Sequence, residues 1–128
     1  MIGYQTVGTN KLDDAAVFYD ALLGELGALR IMDQAGEFIL WSTGENTPGF
    51  CIHVPVDGNK ATIGNGSMTA FGVESAQMVD KMYAKAMQLG ASDEGPAGPR
   101  GGGFYAGYCR DLDGNKFSFF CMTEPESQ

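Results

Sequence analysis

The side chains best equipped for chemistry in this chain are few and well spread. His53 is the single histidine, so any imidazole acid–base step near neutral pH must run through it. Cys51 stands two residues before it, and alternation along an extended strand puts both side chains on one face. Its thiolate would be a nucleophile or a soft ligand if its pKa were lowered, but no basic residue adjoins it in sequence, and a buried, inert thiol fits the same pattern. A partly exposed histidine at a strand end, with no catalytic duty, likewise accounts for His53. Arg100 precedes Gly101-Gly102-Gly103, a run that reads as a flap from which the guanidinium can reach an anionic ligand. The run is no phosphate loop, because it leads into a strand rather than a helix and lacks a following Lys-Ser or Lys-Thr. Arg110 can also reach an anion, or it can pair with Asp111 or Asp113. The stretch Asp111–Asn115 begins like a calcium loop, but its twelfth position is Met122 rather than glutamate, so a hairpin turn is expected.

These residues belong to a chain of 128, the size of one domain. An apolar content of 44% and an aromatic content of 11% argue for a packed core over disorder. Sixteen acidic against eight basic residues leave a net charge of −8. That charge opposes capture of a nucleic-acid backbone or an anionic membrane, and it also serves plain solubility. No apolar run approaches the ~18–20 residues of a membrane span. The first residues form an alternating segment with no charged region before a hydrophobic stretch, so no secretory signal is expected. Cys51, Cys109 and Cys121 are odd in number, far apart and without a Cys-x-x-Cys pair, which suits reduced thiols in the cytoplasm.

The pattern that positions these side chains occurs twice. A strand is predicted over residues 1–9, then a Thr9-Asn10 cap, then a helix with Leu12, Ala15, Ala16, Tyr19, Leu22, Leu23 and Leu26 at helical spacing, ended by Gly27. Strands follow at about 28–34, 37–42 and 49–55. The order then repeats: a strand from Ser67 to Val73 and a helix from Ala76 to Leu89 with Val79, Met82, Tyr83 and Ala86 on one face. Gly90 ends that helix, and strands at about 92–95, 104–110 and 116–122 complete the unit. Tyr19 and Tyr83, like Tyr4 and Met68, are 64 residues apart, and Leu26-Gly27-Ala28 matches Leu89-Gly90-Ala91. Two repeats are too few for a solenoid. A single α+β domain of two βαβββ modules is expected, the first over about 1–57 and the second over about 65–124, joined by the Gly-, Asn- and Lys-rich segment Asp57–Gly66.

Several local sequences in this frame are similar to one family. They are Met1-Ile2-Gly3-Tyr4, Phe18-Tyr19, Gly64-Asn65-Gly66, Asp93-Glu94-Gly95-Pro96, Gly103-Phe104-Tyr105-Ala106-Gly107-Tyr108 and Arg110-Asp111-Leu112-Asp113-Gly114-Asn115-Lys116. In order and spacing the chain resembles the vicinal-oxygen-chelate superfamily of glyoxalases, bleomycin-resistance proteins and dioxygenases. The resemblance implies strands curling around a cleft with helices outside, and a divalent metal held from the first and last strands of each half. In this chain, however, the two histidine positions hold Tyr4 and Met68, the glutamate position holds Ser118, and the remaining position falls near Cys51. No metal and no other cofactor is therefore expected.

With Tyr4, Met68 and Ser118 facing inward, alternation adds Thr6, Ala70 and Phe120 to that face and places Cys51 and His53 in the first half of the cleft. Phe71, Val73, Phe117, Phe119 and Cys121 then pack against the helices. Tyr4 either donates a hydrogen bond to a substrate oxygen or fills the space of the missing ion. Trp41, Tyr105 and Tyr108 are predicted to border the cleft, where aromatic walls suit a flat ligand, although core packing or a dimer contact accounts for them too. The expected ligand-binding set is thus Tyr4, Trp41, Cys51, His53, Met68, Arg100, Tyr105, Tyr108, Ser118 and Phe120, and the catalytic candidates are Tyr4, His53 and Cys51. Two functions compete: a small-molecule-binding protein that uses no metal, or a glyoxalase-like lyase or related enzyme acting on a small carbonyl or epoxide. A filled cleft serving only a dimer is a third possibility. On the resemblance, a homodimer is expected, with neither nucleic acid nor membrane as partner.

Overall fold

The computed structural model describes residues 1–123 and builds them from two units, Met1–Asn65 and a second beginning at Gly66. In the first, β1 (Tyr4–Gly8) leads to α1 (Leu12–Gly24), followed by β2 (Leu29–Gln34), β3 (Phe38–Ser42) and β4 (Gly49–His53). The second repeats the order with β5 (Thr69–Gly72), α2 (Ala76–Gln88), β6 (Ser92–Pro99), β7 (Phe104–Arg110) and β8 (Lys116–Met122). The sheets run β1-β4-β3-β2 and β5-β8-β7-β6, each with its first strand parallel to its last and its other pairs antiparallel. The two βαβββ modules read from the sequence are therefore present.

Each helix buries its apolar stripe on its own sheet. Ala15, Ala16, Phe18, Tyr19, Leu22 and Leu23 are buried on α1, with Ile39, Trp41, Phe50 and Ile52 buried on the strands it packs against. On α2 the buried residues are Val79, Met82 and Ala86, while Phe117, Phe119, Cys109 and Cys121 are buried on the sheet below. Burying one large apolar side chain of this kind contributes about 1.5–3 kcal/mol, so each stripe outweighs the modest helix propensity of its residues.

Both helices close alike. Gly27 and Gly90 take φ of +81° and +105°, which lets the amide of Ala28 reach the Leu23 carbonyl and that of Ala91 reach the Ala86 carbonyl. They open differently. Ser75 Oγ accepts from the Met78 amide and caps α2, whereas α1 has Lys11 at its N-cap and no side-chain cap bond. The expected Thr9-Asn10 cap is corrected here. Thr9 Oγ1 accepts from the Lys11 amide before the helix begins, and Asn10 instead makes a reciprocal pair of bonds with the backbone of Ala61. That pair ties the segment after β4 to the start of α1.

The second departure is β6, expected to stop near residue 95 but extending to Pro99. Gly-Pro-Ala-Gly-Pro reads as a loop, yet β6 is an edge strand, where proline deprives no neighbour of a ladder bond. Its pairing with β7 shifts register twice, between Asp93 and Gly95 and between Gly95 and Gly98. The hairpin expected between the last two strands is present, with the Asp111 carboxylate accepting from the amides of Asp113 and Asn115.

Candidate functional site

Register separates the two faces of each sheet. In the first sheet Thr6 pairs with Cys51, Cys51 with Leu40 and His53 with Phe38, so these side chains share the face turned away from α1. Tyr4 lies on the same face of β1 and is 63% exposed. The His53 ring stacks on Phe38 at 5.2 Å with 17° between planes, and its Nδ1 bonds the Val54 carbonyl. Because a carbonyl only accepts, Nδ1 carries the proton in the neutral ring and Nε2 keeps the lone pair. Cys51 is buried, and burial pushes its thiol pKa up, the Thr6 hydroxyl beside it acting weakly the other way. The nucleophilic role considered for Cys51 thus lacks the activated thiolate it needs.

Trp41 is not on this face. It pairs with Phe50 on the helix side, is 2% exposed, and donates from Nε1 to Asp20 of α1 at 2.9 Å. Asp20 also receives a bidentate fork from Arg30, whose guanidinium holds its carboxyl pKa below the usual value. Trp41 therefore fixes the helix to the sheet, and its expected place on the ligand side is corrected.

In the second sheet the face turned away from α2 carries Ala70, Ser118, Phe120, Ala106, Tyr108, Phe104, Arg110 and Lys116 by the same alternation. Phe120 and Phe104 stack at 5.7 Å. The Arg100 guanidinium lies 5.4 Å and the Lys116 ammonium 5.5 Å from the centroid of the Tyr108 ring. Ser118 is 2% exposed beside them, and Met68, at the entry to β5, is 44% exposed. Tyr105 is on the opposite face, where its hydroxyl donates to Asp80 of α2, so its expected place beside Tyr108 is corrected as well. Positions 105 and 108 differ by an odd number, and a regular strand cannot present both to one side. Arg110 pairs with Glu94 at 2.6 Å rather than with Asp111 or Asp113.

Lys116, Phe104 and Phe38 are members of these faces beyond the expected ligand-binding set. Parity was the available signal, since Lys116 alternates with Ser118 and Phe120, and Phe104 with Tyr108.

Donor chemistry tests the metal implied by the resemblance. Tyr4, Met68, Ser118 and Cys51 offer a phenol, a thioether, a hydroxyl and a protonated thiol, a set unsuited to a hard divalent cation. Among the described residues no three His, Cys, Asp or Glu side chains come together to hold a metal ion. The residues at these positions do not fit the family's ion.

Paired βαβββ modules, each with one face covered by its helix and one turned away from it, define a class of fold used by enzymes and binding proteins alike. The model of the Glyoxalase/Bleomycin resistance protein/Dioxygenase superfamily matches residues 2–119, and the chain belongs to that superfamily. A glyoxalase/bleomycin resistance protein from Albidiferax ferrireducens T118 is similar at 33% identity and a TM-score of 0.85, over 94% of this chain and 98% of that one. A family enzyme from Burkholderia phytofirmans PsJN, at 17% identity and a TM-score of 0.75 over 94% and 97% of the two chains, shares the fold. So does a lactoylglutathione lyase from Agrobacterium tumefaciens, at 18% and 0.71 over 94% and 92%. No functionally curated protein matches the sequence. No helix among the described residues is long and apolar enough to cross a membrane.

Proposed function

We propose that this chain is a small-molecule-binding member of its superfamily whose binding needs no divalent metal. The donor set carries the reading: the positions that would hold an ion offer a phenol, a thioether, a hydroxyl and a neutral thiol. The faces turned away from the helices instead carry aromatic and cationic side chains suited to an organic ligand. In this reading the protein works in the cytoplasm, consistent with three free, buried cysteines, and its charge of −8 disfavours nucleic acid as a partner. It works as a homodimer, an assignment supported by the edge strand β2, which exposes Leu29, Ile31 and Met32.

The test is native mass spectrometry of protein purified without a metal-affinity step. The expected result is a dimer that retains an organic mass and no divalent ion. A stoichiometric divalent ion on the native protein would overturn the proposal. One observation keeps a lyase acting on a small carbonyl or epoxide as the second reading: with Nδ1 bonded to the Val54 carbonyl, His53 Nε2 is the ring atom left to take a proton. His53→Ala would abolish turnover in that case, and under simple binding it would leave ligand affinity nearly unchanged.

A further inference from the structure

The bulged edge strand β6 holds the Arg100 side chain in one place. Arg100 Nη1 donates to the Gly98 carbonyl at 3.0 Å and to the Pro99 carbonyl at 3.5 Å, and Nη2 donates to the Pro96 carbonyl, in the stretch where the ladder with β7 shifts register. Glycine makes room for it. A Cβ at Gly95 would lie 3.3 Å from Arg100 Nη2 and 3.2 Å from Tyr108 Cδ2, and a Cβ at Gly98 would lie 3.3 Å from Nη1. Gly95 also has φ of +151°, which side chains rarely adopt. The guanidinium is thereby pressed toward the Tyr108 ring, and the Lys116 ammonium approaches the same ring from β8.

Two cations thus lie near one tyrosine ring, and among the described residues neither meets a carboxylate within ion-pair distance. The contrast with Arg110 is direct, since that guanidinium, on the same face, is neutralised by Glu94. In a chain of net charge −8, two cations without a carboxylate partner among the described residues run against the overall balance and concentrate positive potential locally. Across this face lie partly exposed Phe104 and Phe120, with Ala106 between Phe104 and Tyr108 along β7 and with Ala70 and Gly72 on the neighbouring edge strand β5. One end of the face is cationic and the other aromatic.

We infer that this face of the second module binds an organic anion with a flat apolar body, its anionic group held by Arg100 and Lys116 beside Tyr108 and its body laid toward Phe104 and Phe120. The inference rests on the reading of the chain as a small-molecule binder and names the ligand class. Oxygens of the anion take donors that Arg100 does not spend on β6, while the ring stack covers the apolar part.

Calorimetry with 1-naphthoate and its uncharged counterpart 1-naphthamide tests it. Naphthoate is expected to bind about tenfold or more tightly than the amide, consistent with charge-assisted hydrogen bonds, and to weaken as salt rises. Arg100→Gln and Lys116→Gln should each remove most of that preference, Arg100→Lys should restore part of it, and Lys85→Gln, remote on α2, should leave it intact. Gly98→Ala keeps every charge but pushes on Nη1, and it should reduce the preference several-fold, about two- to fivefold for a weakened bond. Circular dichroism on each variant separates misfolding from lost binding. Equal affinity for acid and amide would overturn the inference while leaving a binding protein. Absence of saturable binding for both probes would overturn it too, and the binding reading would then stand or fall on the retained mass of the native protein.

Discussion

Tyr19 and Tyr83 occupy the same position in the two helices, 64 residues apart, yet they do different things. Tyr19 is 1% exposed and its ring lies 4.8 Å from Phe50 and 5.8 Å from Trp41, a packed aromatic cluster between α1 and its sheet. Tyr83 is half-buried and points its hydroxyl at Asp93 of β6, 2.8 Å away. Tyr105 mirrors it by reaching from β7 to Asp80 on α2. The first module thus joins its helix to the sheet by an aromatic cluster and by bonds from Trp41 and Arg30 to Asp20, whereas in the second two tyrosine hydroxyls make the polar pins. The faces away from the helices diverge as well: the first sets Thr6 beside Cys51 and His53 on Phe38, while in the second Arg100 and Lys116 converge on Tyr108. Repetition has kept what closes the backbone and released the faces turned away from the helices.

The sharpest way to break this comparison is to truncate the paired tyrosines. Tyr19→Ala empties a buried site ringed by aromatics and is expected to cost about 3–5 kcal/mol. Tyr83→Phe removes only the hydroxyl bond to Asp93 and is expected to cost about 0.5–1.5 kcal/mol. Urea denaturation of both variants checks this, and equal losses would mean that the modules are held alike.

Titration gives a second, smaller contrast of opposite sign in the two modules. Asp20 of the first has its pKa lowered, chiefly by its hydrogen bonds from Arg30, so the stability it contributes is present above the ordinary carboxylate value of 3.8 and is lost as pH falls below it. In the second module burial pushes the Tyr83 hydroxyl up to about 12, the Asp93 bond adding to it. Burial also pushes the Cys109 thiol up to about 12, with the Asp93 charge acting in the same direction. Their contribution is complete below the ordinary values of 9.0 and 10.0 and is lost as pH climbs toward 12. Amide exchange followed residue by residue should show the first module loosening earlier in acid and the second earlier in alkali. Asp20→Asn should flatten the acid limb alone.

How much of this was legible beforehand follows from which signals are local. Helical spacing, Gly27 and Gly90 at the helix ends and the Asp-Gly turn are written within a few residues, and the βαβββ order emerged from them. Strand parity is equally local, and applied to β7 it would have separated Tyr105 from Tyr108. Trp41 is different. Its side of β3 is set by partners from afar, Phe50 on β4 and Asp20 on α1, and no pattern around residue 41 announces them. The second half of β6 is not legible because Gly and Pro report local flexibility, while its strand character comes from β7 alongside. The seat of Arg100 was hidden for the same reason, since it exists only once β6 is bulged and paired. Chemistry on edges and across registers is tertiary information.

Effects well below that of Tyr19→Ala lie where the modules open and close their helices, and they test whether closure is the shared part. Gly27→Ala and Gly90→Ala each force a Cβ into left-handed backbone and should cost about 1–2 kcal/mol apiece. Nearly equal losses would support a common stop. A Cβ at Gly90 would stand 3.3 Å from the Leu112 side chain, whereas one at Gly27 would meet open space, so any excess should fall on Gly90. The starts should not match. Ser75→Ala removes a real cap and should cost about 1 kcal/mol, whereas Lys11→Ser supplies the hydroxyl that α1 lacks and should gain a few tenths to about 1 kcal/mol. Thermal denaturation at matched concentration reads both. A gain at residue 11 with a loss at 75 would mean that the first helix tolerates an open start because its aromatic cluster holds it, and that the second, with three buried residues on its stripe, depends on its cap.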